Sequence, residues 1–217
     1  MIKKLVSQPK TVLSLFFVIL FFSLFFAQVI WADTTTTTFN QTINEGTLSV
    51  DIVDAAGDTV GSPAVTFGAV SFSFDAQNAI GTLGTASEKI RVSNPTTTAA
   101  WNLSIAATGG AGTTWTDGGT NTYPFDSTGG ADTGRMTVDA ATNGVITPWG
   151  TCTNTGLTLG TSDFFLNGTT DSIDLLTAGG TADTSCRWDL TAVDVTQRIP
   201  AGQVPTSYTL GMTITVI

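Results

Sequence analysis

Tyr208, Leu210, Met212, Ile214 and Val216 occupy every second position of a stretch whose other members are Thr209, Gly211, Thr213 and Thr215. A period of two places all five apolar side chains on one side of an extended chain, which a helix cannot do. The same alternation recurs at Leu48, Val50 and Ile52, at Ile90 and Val92, at Trp101, Leu103 and Ile105, and at Cys186, Trp188 and Leu190. A further run opens at Val65 and Phe67 and, after an irregularity at Gly68, continues through Val70, Phe72 and Phe74. Turn-forming Gly, Asn, Asp and Pro separate these runs, and none of them carries apolar residues at helical spacing for three turns. The pattern predicts an all-β chain, a single β-sandwich of jelly-roll or immunoglobulin-like kind over residues 46–217, with long Gly/Thr-rich loops. The longest excursion is expected from Thr108 to Ala131, too glycine-rich for core strands and anchored by Trp115, Tyr123 and Phe125.

The N-terminus reads differently. Lys3, Lys4 and Lys10 precede an apolar run from Val12 to Ala27, the layout of an export signal, with a cleavage point expected after Ala32. If it is retained, the stretch from Thr11 to Trp31 approaches the roughly 20 residues that span a bilayer. Residues 1–32 are therefore expected to be a signal peptide or an N-terminal anchor helix, and any membrane contact to run through them. Residues 33–45 form a Thr-rich extension with too little apolar surface to fold alone, and Phe39 and Ile43 share one of its faces.

Composition narrows the chemistry. The 217 residues include no histidine, so Ser-His-Asp and Cys-His catalysis and histidine-ligated zinc are excluded. Residues 1–32 hold three of the 8 basic side chains and none of the 17 acids; without them 5 basic and 17 acidic groups remain, a net charge of -12. The five are Lys89, Arg91, Arg135, Arg187 and Arg198, so no basic patch exists to hold nucleic acid. Paired carboxylates can hydrolyse glycosides, but nothing pairs Glu45, Glu88 and the aspartates uniquely, and no enzyme is expected. No cofactor is expected either; Ca2+ is the one ion for which loop carboxylates leave room, at Asp54 with Asp58 or at Asp171 with Asp174. Cys152 and Cys186 are expected to pair in an exported chain, against the alternative of two buried thiols.

Trp101-Asn102-Leu103 and Trp188-Asp189-Leu190 spell Trp-x-Leu twice, each inside an expected strand and each with Trp and Leu on one face. Two readings stand side by side: the tryptophans fill the core, their indole N–H groups meeting backbone carbonyls, or they form an apolar strip that docks on a partner. The paired motifs, the export signal and the Gly46-Thr47-Leu48-Ser49-Val50 opening strand resemble the WxL family of bacterial surface proteins. That resemblance implies secretion and non-covalent retention on the cell wall, with Trp101, Leu103, Trp188 and Leu190 as binding residues toward peptidoglycan. The second motif departs from the family pattern, since Trp188 lies a strand before the chain's closing alternation.

The function expected from these features is that of a secreted or surface-displayed structural or adhesive protein whose partners are cell-wall polysaccharide or other surface proteins. A second reading is a subunit of a surface fibre, self-assembled when the extension from Asp33 to Asn44 adds as a strand to a neighbour. A third is a carbohydrate-binding module with Trp115, Tyr123 and Trp149 as a loop platform.

Overall fold

The computed structural model describes residues 9–26 and 38–217, and the chain forms two units, residues 1–43 and 44–217. In the first, α1 (Pro9–Phe26) starts on a proline, whose fixed φ and missing N–H suit the first helical turn. Its side chains from Leu13 to Phe21 are all exposed and, apart from Ser14, apolar. At 1.5 Å per residue its 18 residues run about 27 Å, short of the ~30 Å hydrocarbon core of a bilayer. Among the described residues no helix is long and apolar enough to cross a membrane. The expected cleavage point at Ala32 and the tract Thr34 to Thr37 lie outside the described residues.

The second unit is built from β1 (Ser49–Val53), β2 (Gln77–Leu83), β3 (Lys89–Asn94), β4 (Trp101–Ala107), β5 (Thr114–Thr116), β6 (Thr122–Pro124), β7 (Arg135–Asp139), β8 (Val145–Pro148), β9 (Leu157–Leu159), β10 (Asp163–Phe164), β11 (Ser172–Ala178), β12 (Cys186–Thr191), β13 (Val193–Ile199) and β14 (Met212–Val216). They pair antiparallel in three four-stranded sheets, in the orders β1-β3-β12-β8, β10-β7-β13-β2 and β14-β4-β11-β9, with β5 and β6 as a separate ribbon. This is an all-β sandwich.

Alternation becomes burial along the central strands. Trp101, Leu103, Ile105 and Ala107 of β4 are buried while Asn102, Ser104 and Ala106 are half-exposed, and β3 does the same with Ile90 and Val92. Trp188 of β12 meets Trp101 of β4 across the core, their ring centroids 5.6 Å apart, and Leu190 joins the same cluster. Each such large side chain removed from water contributes about 1.5–3 kcal/mol.

Strands β12 and β13 are one chain path switching sheets. The switch falls at Ala192, a non-glycine residue with φ of 60°, whose N–H donates to the Gly84 carbonyl at 2.7 Å. Gly84 has φ of 79°, and a Cβ there would stand 2.8 Å from the Leu190 carbonyl oxygen. Only glycine fits that crossing.

Two expectations are corrected. Val65 to Phe74 is extended but is no strand: along it Gly68 donates to Ile80 of β2 and Ser73 accepts from Gly202. Alternation orients side chains, but a strand also needs a neighbour's peptide groups in register, and this segment has one such bond to β2. The Thr108–Ala131 excursion does contain strands, the β5–β6 ribbon, because Trp115 and Tyr123 pair across it. Its anchors include a polar one, buried Asp126, which accepts the Gly112 N–H at 2.9 Å.

Candidate functional site

The strand with the cleanest alternation is the one left half covered. In β14, Met212, Ile214 and Val216 are half-buried and none is fully enclosed, unlike the apolar residues of β4 beside it. Ile217 and Asn102 exchange both backbone hydrogen bonds, at 2.8 and 3.0 Å, and Gly211 accepts from Thr108 at 2.9 Å. Antiparallel alternation therefore turns Thr213 and Thr215 toward β4 and points the N–H and C=O groups of Met212, Ile214 and Val216 outward. β14 is the edge of its sheet, so among the described residues no strand pairs with them.

A second edge lies nearby. β1 pairs with β3 on one side only. The Ile52 carbonyl accepts from Val60 and the Ile52 N–H is held by the Asp51 carboxylate at 2.8 Å, so the far end of β1 is locally capped. By the same alternation the Val50 peptide groups also face away from β3.

Residues of both strands line an apolar groove of about 480 Å³. Val50 and Ile52 of β1 and Met212 and Ile214 of β14 line it together with Val65, Phe67 and Trp115. Its charged lining is limited to Asp51 and Glu88. A second cavity, about 510 Å³, shares Val65, Phe67, Trp115 and Tyr208 with the first and is lined further by Phe72 and Gln203. Val65 and Phe67 therefore line both hollows. Phe74 is 86% exposed and meets Phe72 edge-on at 5.0 Å.

The expected site residues sit elsewhere. Trp101, Leu103, Trp188 and Leu190 are all core residues, so an apolar strip made of them is not presented at the surface. The Trp188 indole donates to the Thr153 carbonyl at 2.8 Å, as the core reading expects, but the Trp101 indole N–H is buried without a partner. The middle residues of the motifs are occupied too: Asn102 bonds Asp174 and Thr177, while Asp189 takes a bidentate pair from Arg91 at 2.7 and 2.9 Å and Lys89 at 3.1 Å. Burial opposes the charge on Asp189, yet Arg91 and Lys89 outweigh it and hold the carboxyl below its usual range. Both members of the sole close basic pair of the sequence body thereby share one carboxylate within their own sheet.

Trp115, Tyr123 and Trp149 do not form one platform. Trp115 and Tyr123 are buried and stacked on each other, with the Trp115 indole donating to Gln197 at 2.9 Å. Burial, and then the neighbouring Tyr208, push the Tyr123 hydroxyl up to about 12. Trp149 is 62% exposed just past β8, covered on one face by the Arg187 guanidinium at 4.1 Å. Cys152 and Cys186 form a disulfide that ties the start of β12 to the loop after β8. Asp54 spends one oxygen on the N–H groups of Gly57 and Asp58; these backbone bonds, led by Asp58, lower its pKa. Asp171 accepts from Gly168, and Asp174 from Asn102. Among the described residues no three acidic, cysteine or histidine side chains converge on a metal position.

The groove was not foreseen from the sequence. Its lining draws on the first and last strands of the body, and the signal that pointed to it was a long, clean alternation at the chain's end. Fold and groove together define a class: an antiparallel β-sandwich with an unpaired edge beside an apolar cleft. Beyond that class, no family model, no curated protein and no solved structure matches the chain.

Proposed function

We propose that this is a non-enzymatic structural protein, displayed or secreted outside the cytosol, that joins its partner by accepting an extended polypeptide strand along the free edge of β14. The observation that carries the reading is the coincidence of outward peptide groups at Met212, Ile214 and Val216 with an apolar groove along the same edge. Unpaired edges are aggregation hazards that proteins shield with charge, proline or bulges, and β14 has none of these. An incoming strand would gain backbone bonds from β14 and bury alternate side chains in the groove. The Lys-led apolar N-terminus and the disulfide support a location beyond the reducing cytosol. The absence of histidine and the engagement of Asp54, Asp171 and Asp174 in hydrogen bonds to their neighbours in the fold support a role without catalysis. Retention on a cell wall, which the WxL resemblance implies, would have to use surfaces other than the buried Trp-x-Leu residues.

Amide exchange tests this directly. Producing cells are labelled in deuterated medium, and the peptide covering residues 211–217 is compared with the same peptide from dilute purified protein. The amides of Met212, Ile214 and Val216 should exchange slowly on the cells and fast in dilute solution. Equal, fast exchange in both samples would remove the reading.

A further inference from the structure

We propose that the strand accepted by the groove is residues 38–44 of a second copy of this chain, so that copies join head to tail. The inference rests on the strand-addition reading above and names its occupant. Thr38 to Asn44 has no secondary structure, and its two large apolar side chains are left in solvent, Phe39 at 93% and Ile43 at 89% exposure. As a strand, this segment would put Phe39, Gln41 and Ile43 on one face. Seven residues at about 3.3 Å each reach along the whole of β14 and beyond.

Charge selects the same segment. From Thr34 to Asn44 there is no ionisable side chain, whereas the body that follows is strongly acidic. An uncharged strand can enter an acidic neighbour's groove without bringing like charge against Asp51 and Glu88. The carboxylates of those two residues offer acceptors for the Gln41 amide, the one polar side chain on the inward face, while Phe39 and Ile43 take the apolar lining on either side. The backbone partners are the outward groups of Met212, Ile214 and Val216. Because the donor segment and the acceptor groove are different surfaces, the contact is heterologous, and each copy added offers a fresh donor and a fresh groove to the next.

The experiment uses the protein as producing cells release it and pairs two defects. One variant, Phe39→Asp with Ile43→Asp, spoils the donor and leaves the groove. The other, Ile214→Pro, removes an outward N–H that makes no bond to β4 and leaves the donor. Sedimentation should find concentration-dependent chains for the unaltered protein and monomers for each variant. An equimolar mixture of the two variants should give a one-to-one dimer and nothing longer. Tryptophan fluorescence verifies that each variant is folded, and Ile214→Asp, which keeps every backbone N–H, replaces the proline variant if that one is not. Chains that persist in the donor variant but dissolve in the edge variant would overturn the occupant and leave the edge reading standing. Chains unaffected by either variant, or an unaltered protein that stays monomeric to its solubility limit, would overturn both. A mixture that stays monomeric would overturn the head-to-tail contact.

Discussion

At the scale of single residues, identical tripeptides carry different physics. Trp101 and Trp188 are both core residues, as alternation within their strands allowed, but their indole N–H groups differ: one meets the Thr153 carbonyl and the other meets nothing. A buried donor without a partner costs about 1–3 kcal/mol, and a made hydrogen bond contributes about 1 kcal/mol. Replacing either indole by phenyl leaves a similar void. Trp101→Phe also sheds the unpaired donor, whereas Trp188→Phe gives up a bond. Trp188→Phe should therefore be the more destabilising by about 2 kcal/mol, which lowers its melting temperature by roughly 4–8 °C relative to Trp101→Phe. Thermal unfolding of the two variants decides this, and equal melting temperatures would contradict the assigned difference. Sequence could not distinguish them because Trp188's partner lies 35 residues earlier, in a loop held by the disulfide. Neither motif's spacing carries that information.

Alternation marked the edge strands β1 and β14 as well as the interior strands β3, β4 and β12, and it missed the interior strands β7, β11 and β13. β3, β4 and β12 each have strands on both sides, and their apolar residues fell inside as alternation required. Val65 to Phe74 has equally good alternation and no strand, because its pairing with β2 reduces to the bond from Gly68. β12 has a further constraint that sequence did anticipate, the Cys152–Cys186 bond at its first residue. That bond closes a loop with a sequence separation of 34, which in the chain-entropy account stabilises by roughly 3–4 kcal/mol. Reduction should lower the melting temperature by about 10 °C, taking about 2–4 °C per kcal/mol for a body of this size. It should also loosen the Thr153 carbonyl from Trp188, seen as a tryptophan fluorescence change before global unfolding. A melting temperature unchanged by reduction would mean the loop is already fixed without the bond.

For the molecule as a whole, charge decides how copies can meet. The body with its extension carries a net -12, and its most closely spaced cations, Lys89 and Arg91, are spent on Asp189. A domain of this length is about 40 Å across, by the usual scaling of radius with residue number. Two such bodies that far apart, taken as point charges in water, repel by ~15 kcal/mol without salt. Debye lengths of ~30 Å at 0.01 M and ~8 Å at 0.15 M cut this to about 4 and about 0.1 kcal/mol. The contact proposed between them is uncharged strand against apolar groove, so salt relieves the repulsion and removes no attraction. Association measured by sedimentation should strengthen more than about tenfold, at ~1.4 kcal/mol per tenfold, when sodium chloride rises from 0.01 to 0.15 M. An interface held by ion pairs would weaken over the same range, and that outcome would move the contact away from the β14 edge and onto the charged faces of the sandwich.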